Sequence, residues 1–226
     1  MEYVFILVEP AVPENIGASC RAIKTMGFTS VRLINPKGHL NNEAKWLAHG
    51  SNDILENAQL FNNLSEATAD IDFIIGTTAK NRSVKLDYYS PEEANTLIKN
   101  KKDSINKVAI VFGREESGLT NEELNLCDIA VSIPLFAPYP SINLAQSVMI
   151  MSYSLSKCEL KNSISKNNTS DFTFLKQKAK RLLKSININE QHNLYGRIME
   201  RISIASDSDI NIMLSVINKI EKKLTN

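Results

Sequence analysis

Three stretches of this 226-residue chain gather residue types that can do chemistry. The first, EPAVPENIGASCR at residues 9–21, follows an apolar run and sets Asn15, Gly17 and Arg21 at the start of a helix. Arginine offers forked donors that suit phosphate, and a helix start adds free backbone N–H groups, so one reading has Asn15 and Arg21 meeting a phosphate or a ribose hydroxyl. The other makes Asn15 a plain N-cap, Gly17 a packing residue and Arg21 a surface charge. Asn15 and Arg21 stand six residues apart, off any shared helical face unless Asn15 precedes the first turn.

The second stretch is VFGREESGL, residues 111–119. Its two glycines permit close backbone approach to a small ligand, and Glu115 can accept from ribose hydroxyls. It lacks the lysine of a phosphate loop and is not a dinucleotide fingerprint. Its plainer reading is a tight turn into a helix, with Thr120 as N-cap and Glu123 at the third helical position. The third stretch, IPLFAPYPSINLAQ at residues 133–146, has three prolines that fix a loop path. Ser141 and Asn143 then either cap an apolar helix or present polar groups and free donors to a ligand.

The elements that must position these stretches alternate short β-branched apolar runs with helical patterns. Strands are expected at residues 3–8, 31–34, 73–77, 108–112 and 130–133, and continuous apolar runs of this kind suit a parallel sheet buried on both faces. Helices are expected at 15–26, closed by Gly27, at 91–99 with Ser90 as N-cap, and at 143–155. The fold class is α/β, and each of the three stretches falls at or just past a strand end, where open α/β sheets bind ligands. Residues 157–170 are polar and rich in Asn, Ser and Lys, the composition of a linker. Three amphipathic helical patterns follow, with apolar faces Phe172, Leu175, Leu182, Leu183 and Ile186, then Leu194, Ile198, Met199 and Ile202, then Ile210, Met213, Leu214 and Ile217. The expected division is residues 1–157, a linker at 158–170, and a helical extension at 171–226.

Composition narrows the function. The net charge of +1 hides an asymmetry: residues 159–226 hold 12 Lys/Arg against 7 Asp/Glu, a net +5, and the first 158 hold 14 against 18, a net −4. A basic tail suits a nucleic-acid partner and equally a solvated lysine-rich face; Lys176, Lys178, Lys180, Arg181 and Lys184 fall along one helix. Cys20, Cys127 and Cys158 are odd in number and widely spaced, and His39, His49 and His192 show no ligand spacing, so neither a disulfide framework nor a metal site is expected. No apolar run is long enough for a membrane span, and the expected location is the cytoplasm. The absence of G-x-G-x-x-G after the first strand disfavours a dinucleotide oxidoreductase, and the absence of G-x-S-x-G disfavours a serine hydrolase.

Taken in order, a strand followed by N-x-G-x-x-x-R, a strand followed by G-x-E-x-x-G-L, and a strand followed by IP...SINLAQ resemble the SpoU (TrmH-type) family of the SPOUT methyltransferases. AIKTMGF and FGREESGLTNEEL are most similar to its TrmJ-type tRNA methyltransferases and their LasT-like relatives. The resemblance covers roughly residues 3–157. It implies a deep C-terminal trefoil knot in the catalytic domain, a homodimer whose sites are completed by the partner, and S-adenosylmethionine as methyl donor, with no metal. It implies cofactor contacts from Thr77, Thr78, Ala79, Gly113, Glu115, Ile133, Ser141, Ile142 and Leu144. It assigns Asn15, Arg21, Ser141 and Asn143 to RNA and catalysis, with tRNA, in its anticodon loop, or rRNA as substrate. A silent RNA-binding protein on the same scaffold is the competing reading, against which the intact set of Arg21, Glu115 and Asn143 speaks.

Overall fold

The computed structural model describes residues 1–79, 84, 87–136, 142–159 and 171–224. Seven strands form one sheet: β1 (Glu2–Val8), β2 (Ser30–Ile34), β3 (Gln59–Phe61), β4 (Phe73–Thr77), β5 (Tyr88–Tyr89), β6 (Lys107–Phe112) and β7 (Ile129–Val131). Their order is β3-β2-β1-β6-β4-β7-β5, and every pairing is parallel. In β1, Tyr3, Phe5 and Leu7 enter one core and Val4, Ile6 and Val8 the other, so an unbroken apolar run is what a strand buried on both faces requires.

The expected strands are all present. The last is shorter and earlier than expected, ending at Val131, so Ile133 lies in extended chain two residues beyond the ladder. Two strands were not expected, β3 and β5, which form the two edges of the sheet. Helix α1 (Pro13–Thr25) starts two residues earlier than anticipated, with Pro13 in the first turn, so Asn15 is helical rather than a cap. It ends as Gly27 predicts: Gly27 N–H donates to Lys24 O and Phe28 N–H to Ile23 O, a Schellman closure.

Short helices α2 (Asn42–Leu47), α3 (Asn52–Glu56) and α4 (Leu64–Ala67) follow, then α5 (Pro91–Lys101), α6 (Asn121–Leu126) and α7 (Leu144–Glu159). Ser90 and Glu93 form the expected cap of α5, and Thr120 and Glu123 a full capping box on α6.

The basic tail forms α8 (Asp171–Ser185), α9 (Asn193–Ser203) and α10 (Asp207–Leu224). Phe172, Leu175, Ala179 and Leu183 are the buried face of α8, and Ile202, Ile210 and Ile217 are buried in the later helices. Ile186 and Leu194 are corrections to the expected faces, 51% and 42% exposed, because each lies at a helix end beyond the packed stripe. The tail docks beneath the sheet, at the starts of the strands. Lys176 Nζ donates to Asp72 O at 2.8 Å and pairs with Asp128 at 3.0 Å, just ahead of β4 and β7. Thr173 donates to Asp72 at 2.5 Å, and Ser104 to Asp207. Lys176 and Lys178, read as possible phosphate contacts, are thus structural: Lys178 pairs with Glu221. Lys180, Arg181 and Lys184 are exposed.

At the centre of this junction Lys101 is fully buried. Its ammonium lies 4.8 Å from the Phe73 ring and 4.0 Å from that of Phe172, and donates to Ala205 O at 3.1 Å. Burial pushes its pKa down from 10.5 to about 8, with nearby Asp128 opposing and Lys176 adding to the shift. Between these values the unfolded chain binds more protons than the folded one, so stability rises as pH climbs from about 8 toward 10.5. Across that window Lys101 contributes on the order of 3 kcal/mol, and Tm measured at its two ends should show a rise that Lys101→Met abolishes. Equal pH slopes in the two proteins would refute the assignment.

Candidate active site

Parallel strands put all their carboxyl ends on one edge. β1 feeds β2 and β3 on one side, while β6, β4, β7 and β5 lie on the other, so the boundary between β1 and β6 is where the winding reverses. Such a switch point is where open α/β sheets leave a crevice for ligands. The first stretch leaves β1 and the second leaves β6, so they are neighbours by topology.

They are also bonded. The Glu115 carboxylate accepts from Ala11 N–H at 3.1 Å, Val12 N–H at 3.3 Å and Asn15 Nδ2 at 3.1 Å. Burial raises its pKa, but these donors outweigh that effect and hold it below the ordinary carboxylate value. Asn15 Oδ1 in turn accepts from Asn143 Nδ2 at 2.7 Å. Asn143 Oδ1 accepts from Ala145 N–H at 2.8 Å, and Asn143 N–H donates to Gln146 Oε1 at 3.2 Å, so it caps α7 as well. The chain Glu115, Asn15, Asn143, α7 therefore stitches together the three stretches, with links between residues 100 and 128 apart in sequence. The capping reading of Asn143 holds, and its amide nitrogen keeps one hydrogen beyond the one given to Asn15.

Sequence reasoning missed the partner of this chain. Arg114 Nε donates to Glu9 at 2.9 Å, and its other two nitrogens reach Glu123 at 3.0 and 3.1 Å in a fork. Glu9 has a left-handed backbone, φ 45°, which costs energy outside glycine. The hydrogen bond from Arg114 holds the Glu9 carboxyl below its usual pKa and braces this bend. In sequence Arg114 was one more charge in an acidic loop; only the adjacency of β1 and β6 gives it two carboxylates. The loop itself is closed by Arg114 and Gly118, whose backbones exchange bonds of 3.2 and 2.9 Å. A Cβ on Gly113 would lie 2.1 Å from the Gly118 carbonyl carbon, so Gly113 is demanded by this closure.

Thr77, Thr78 and Ala79 leave β4, Gly113 leaves β6, and Ile133 follows β7, so these expected cofactor contacts share one edge of adjacent strands. Thr77 Oγ1 donates to Val111 O at 2.9 Å and Thr78 N–H to Val131 O at 2.9 Å, tying the three strand ends together. Ile142 precedes α7, and the buried Leu144 opens it. Ser141 lies outside the described residues. Arg21 is on α1 two turns in, exposed, and its guanidinium meets no partner among the described residues. It is about 120° around the helix from Asn15, so the two side chains leave α1 in different directions.

Cys20, behind this surface, is buried and its thiol is pushed up to about 12, which leaves it inert. Glu115→Ala should lower the activity of this site on the order of 100-fold, because the two asparagines lose their anchor. Steady-state kinetics checks this, and activity within a few-fold of the parent would show the clamp to be dispensable.

A parallel α/β sheet with polar loops converging on its carboxyl edge is the architecture of a domain that binds a ligand there. A family model described as the SpoU rRNA Methylase family matches residues 2–153, and one for the C-terminal domain of tRNA/rRNA methyltransferase LasT matches residues 169–224. The chain is 37% identical, over the whole of both proteins, to the uncharacterized tRNA/rRNA methyltransferase LasT of Escherichia coli. It is 37% identical over 160 residues to the tRNA (cytidine-2'-O-)-methyltransferase TrmJ of Methanocaldococcus jannaschii, covering 70% of this chain and 68% of that one. The structure of a probable methylase family protein from Haemophilus influenzae superposes with a TM-score of 0.66 at 28% identity, covering 99% of this chain and 97% of that one. This chain belongs to the SpoU methylase family, with a LasT-type C-terminal domain.

Proposed function

We propose that this protein transfers a methyl group from S-adenosylmethionine to a ribose 2'-hydroxyl of RNA, with tRNA as its substrate. The observation that carries the reading is the bonded chain from Glu115 through Asn15 to Asn143, which draws three distant stretches to one edge of the sheet. The tRNA substrate is supported by the TrmJ relatives, named as tRNA (cytidine-2'-O-)- and tRNA (cytidine/uridine-2'-O-)-methyltransferases.

The residues present fit the methyl donor. Thr77, Thr78, Ala79, Gly113, Ile133, Ile142 and Leu144 are short or apolar, which leaves an adenine an apolar slot with backbone groups to read its edge. When bound, S-adenosylmethionine supplies a methyl carbon already activated by its sulfonium. What remains for the protein is alignment and charge. Arg21 holds the RNA phosphate and polarises the hydroxyl; a guanidinium, planar, forked and permanently cationic, suits that role better than literal general base. Asn143 offers its free amide hydrogen to the ribose, Asn15 fixes Asn143, and Ser141 joins them as a positioning residue. Glu115 positions the first stretch. In this account residues 1–157 are the catalytic domain with a trefoil knot in its C-terminal part, residues 158–170 a linker and 171–226 an extension. The enzyme works as a cytoplasmic homodimer, which the exposed Ile150 and Tyr153 on α7 support.

The test is transfer of labelled methyl from S-adenosylmethionine to unfractionated tRNA and rRNA, with nuclease digestion and mass spectrometry of the product. A 2'-O-methylated nucleotide in tRNA is expected. Product confined to rRNA would move the substrate, and no transfer to either RNA despite donor binding would favour the binding protein.

A further inference from the structure

Helix α2 carries the chain's single tryptophan, and Trp46 is 71% exposed, with Leu40 at 46% and Leu47 at 41% beside it in sequence. A tryptophan left this open is unusual unless something covers it. Its surroundings say what. Lys37 and His49 are exposed and Lys45 half-buried in this segment, whose one exposed acid, Glu43, lies a turn before Trp46 on α2.

Its position is set by close packing. A Cβ on Gly17 would lie 1.9 Å from Ala44 O and 3.0 Å from Ala48 N, so α2 runs directly against that stripe of α1. Arg21 is one turn further along the same stripe, and Lys24, the next residue on it, pairs with Asp53 of α3 at 2.6 Å. Arg21 therefore stands over the turn between α2 and α3, which carries His49. At the other end Lys37 N–H donates to Pro10 O at 3.1 Å, joining the patch to the first stretch. The segment that carries the patch is thus tied to the first stretch at Pro10 and packs along the stripe of α1 that includes Arg21.

We propose that Trp46, flanked by Lys37, Lys45 and His49, is a stacking platform for a base of single-stranded RNA beside the nucleotide that Arg21 engages. These basic groups take the phosphates on either side of the stacked base, and the indole accepts any base because each has an aromatic face. The ligand class is an unpaired RNA segment, such as a loop, rather than a duplex, whose bases are stacked on one another. This rests on the RNA reading given above and extends it to a second contact.

Trp46 is its own reporter. Titrating the full-length protein with an oligouridylate and with unfractionated tRNA should quench its fluorescence, less so as salt rises. Trp46→Ala should raise the KM for RNA on the order of ten-fold, and Trp46→Phe should restore most of the loss, since a phenyl ring still stacks. Donor binding by Trp46→Ala, measured calorimetrically, reports that the protein is folded. No quenching by either RNA, or an unchanged KM in a folded Trp46→Ala, overturns the proposal. So does dissociation of a native dimer by Trp46→Ala, which would assign the patch to a second copy of the chain. Quenching without methyl transfer to any RNA would instead refute the methyltransferase reading and leave the platform standing.

Discussion

Arg21→Ala should reduce methyl transfer by about 100- to 1000-fold, the usual cost of removing one donor aimed at developing charge, while leaving thermal stability within about 0.5 kcal/mol of the parent. The two halves of this expectation come from one observation. The guanidinium is exposed and bonds to nothing among the described residues, so the fold gains little from it. Its neighbours Gly17 and Lys24 are tied into α2 and α3, so its backbone is held firmly. An arginine held on a firm backbone, with no partner among the described residues, fits the RNA contact proposed for it. Arg21→Lys retains charge without the fork and should recover a small part of the activity at best. Scanning calorimetry and the labelled-methyl assay measure both halves. A variant that keeps near-parental kcat would remove Arg21 from the site; one that unfolds early would make it structural.

Phe172→Ala should have the opposite profile. Phe172 is fully buried, edge-on to Phe73 at 5.6 Å, and its ring faces the ammonium groups of Lys101 at 4.0 Å and Lys176 at 4.8 Å. Truncating a buried phenylalanine costs about 3–5 kcal/mol. Here it also leaves the Lys101 ammonium with one ring and one carbonyl in a dry site, which places the cost toward the upper end. For a chain of this size the shift is roughly 6–20 °C in Tm. Transfer measured well below the new Tm should stay near parental, because the junction lies at the strand starts and the candidate site at their ends. An unchanged Tm would show that α8 contributes nothing to the fold. A cold-assay loss as large as that of Arg21→Ala would show that the tail shapes the site.

The sheet was legible where burial is two-sided. The run from Tyr3 to Val8 admits one interpretation because both faces of β1 are covered, whereas the edge strands β3 and β5 hold no fully buried residue and carry no such signature. Caps were legible because they are local: Thr120 with Glu123, and Gly27 after Thr25, are each decided within a few residues. The site was half legible. Asn15, Arg21, Glu115 and Asn143 were singled out by type, but that Glu115 binds the first stretch, and that Arg114 bridges Glu9 to Glu123, depends on β1 and β6 being neighbours. No local pattern states that. The basic helix misled for a related reason. Lys176 and Lys180 are equivalent by spacing, and only the acids ahead of β4 and β7 distinguish the one that is neutralised from the one that is free.

The tail is fastened to Asp72, Asp128 and Lys101, beneath the same strands, β4 and β7, whose far ends lead into Thr77 and Ile133. In a genetic screen the two ends of these strands should sort into separate phenotypes. Lesions at the lower end would be temperature-sensitive, recoverable by growth in the cold or by any mutation that adds stability elsewhere. Lesions at the upper end would be null at every temperature and blind to such suppressors.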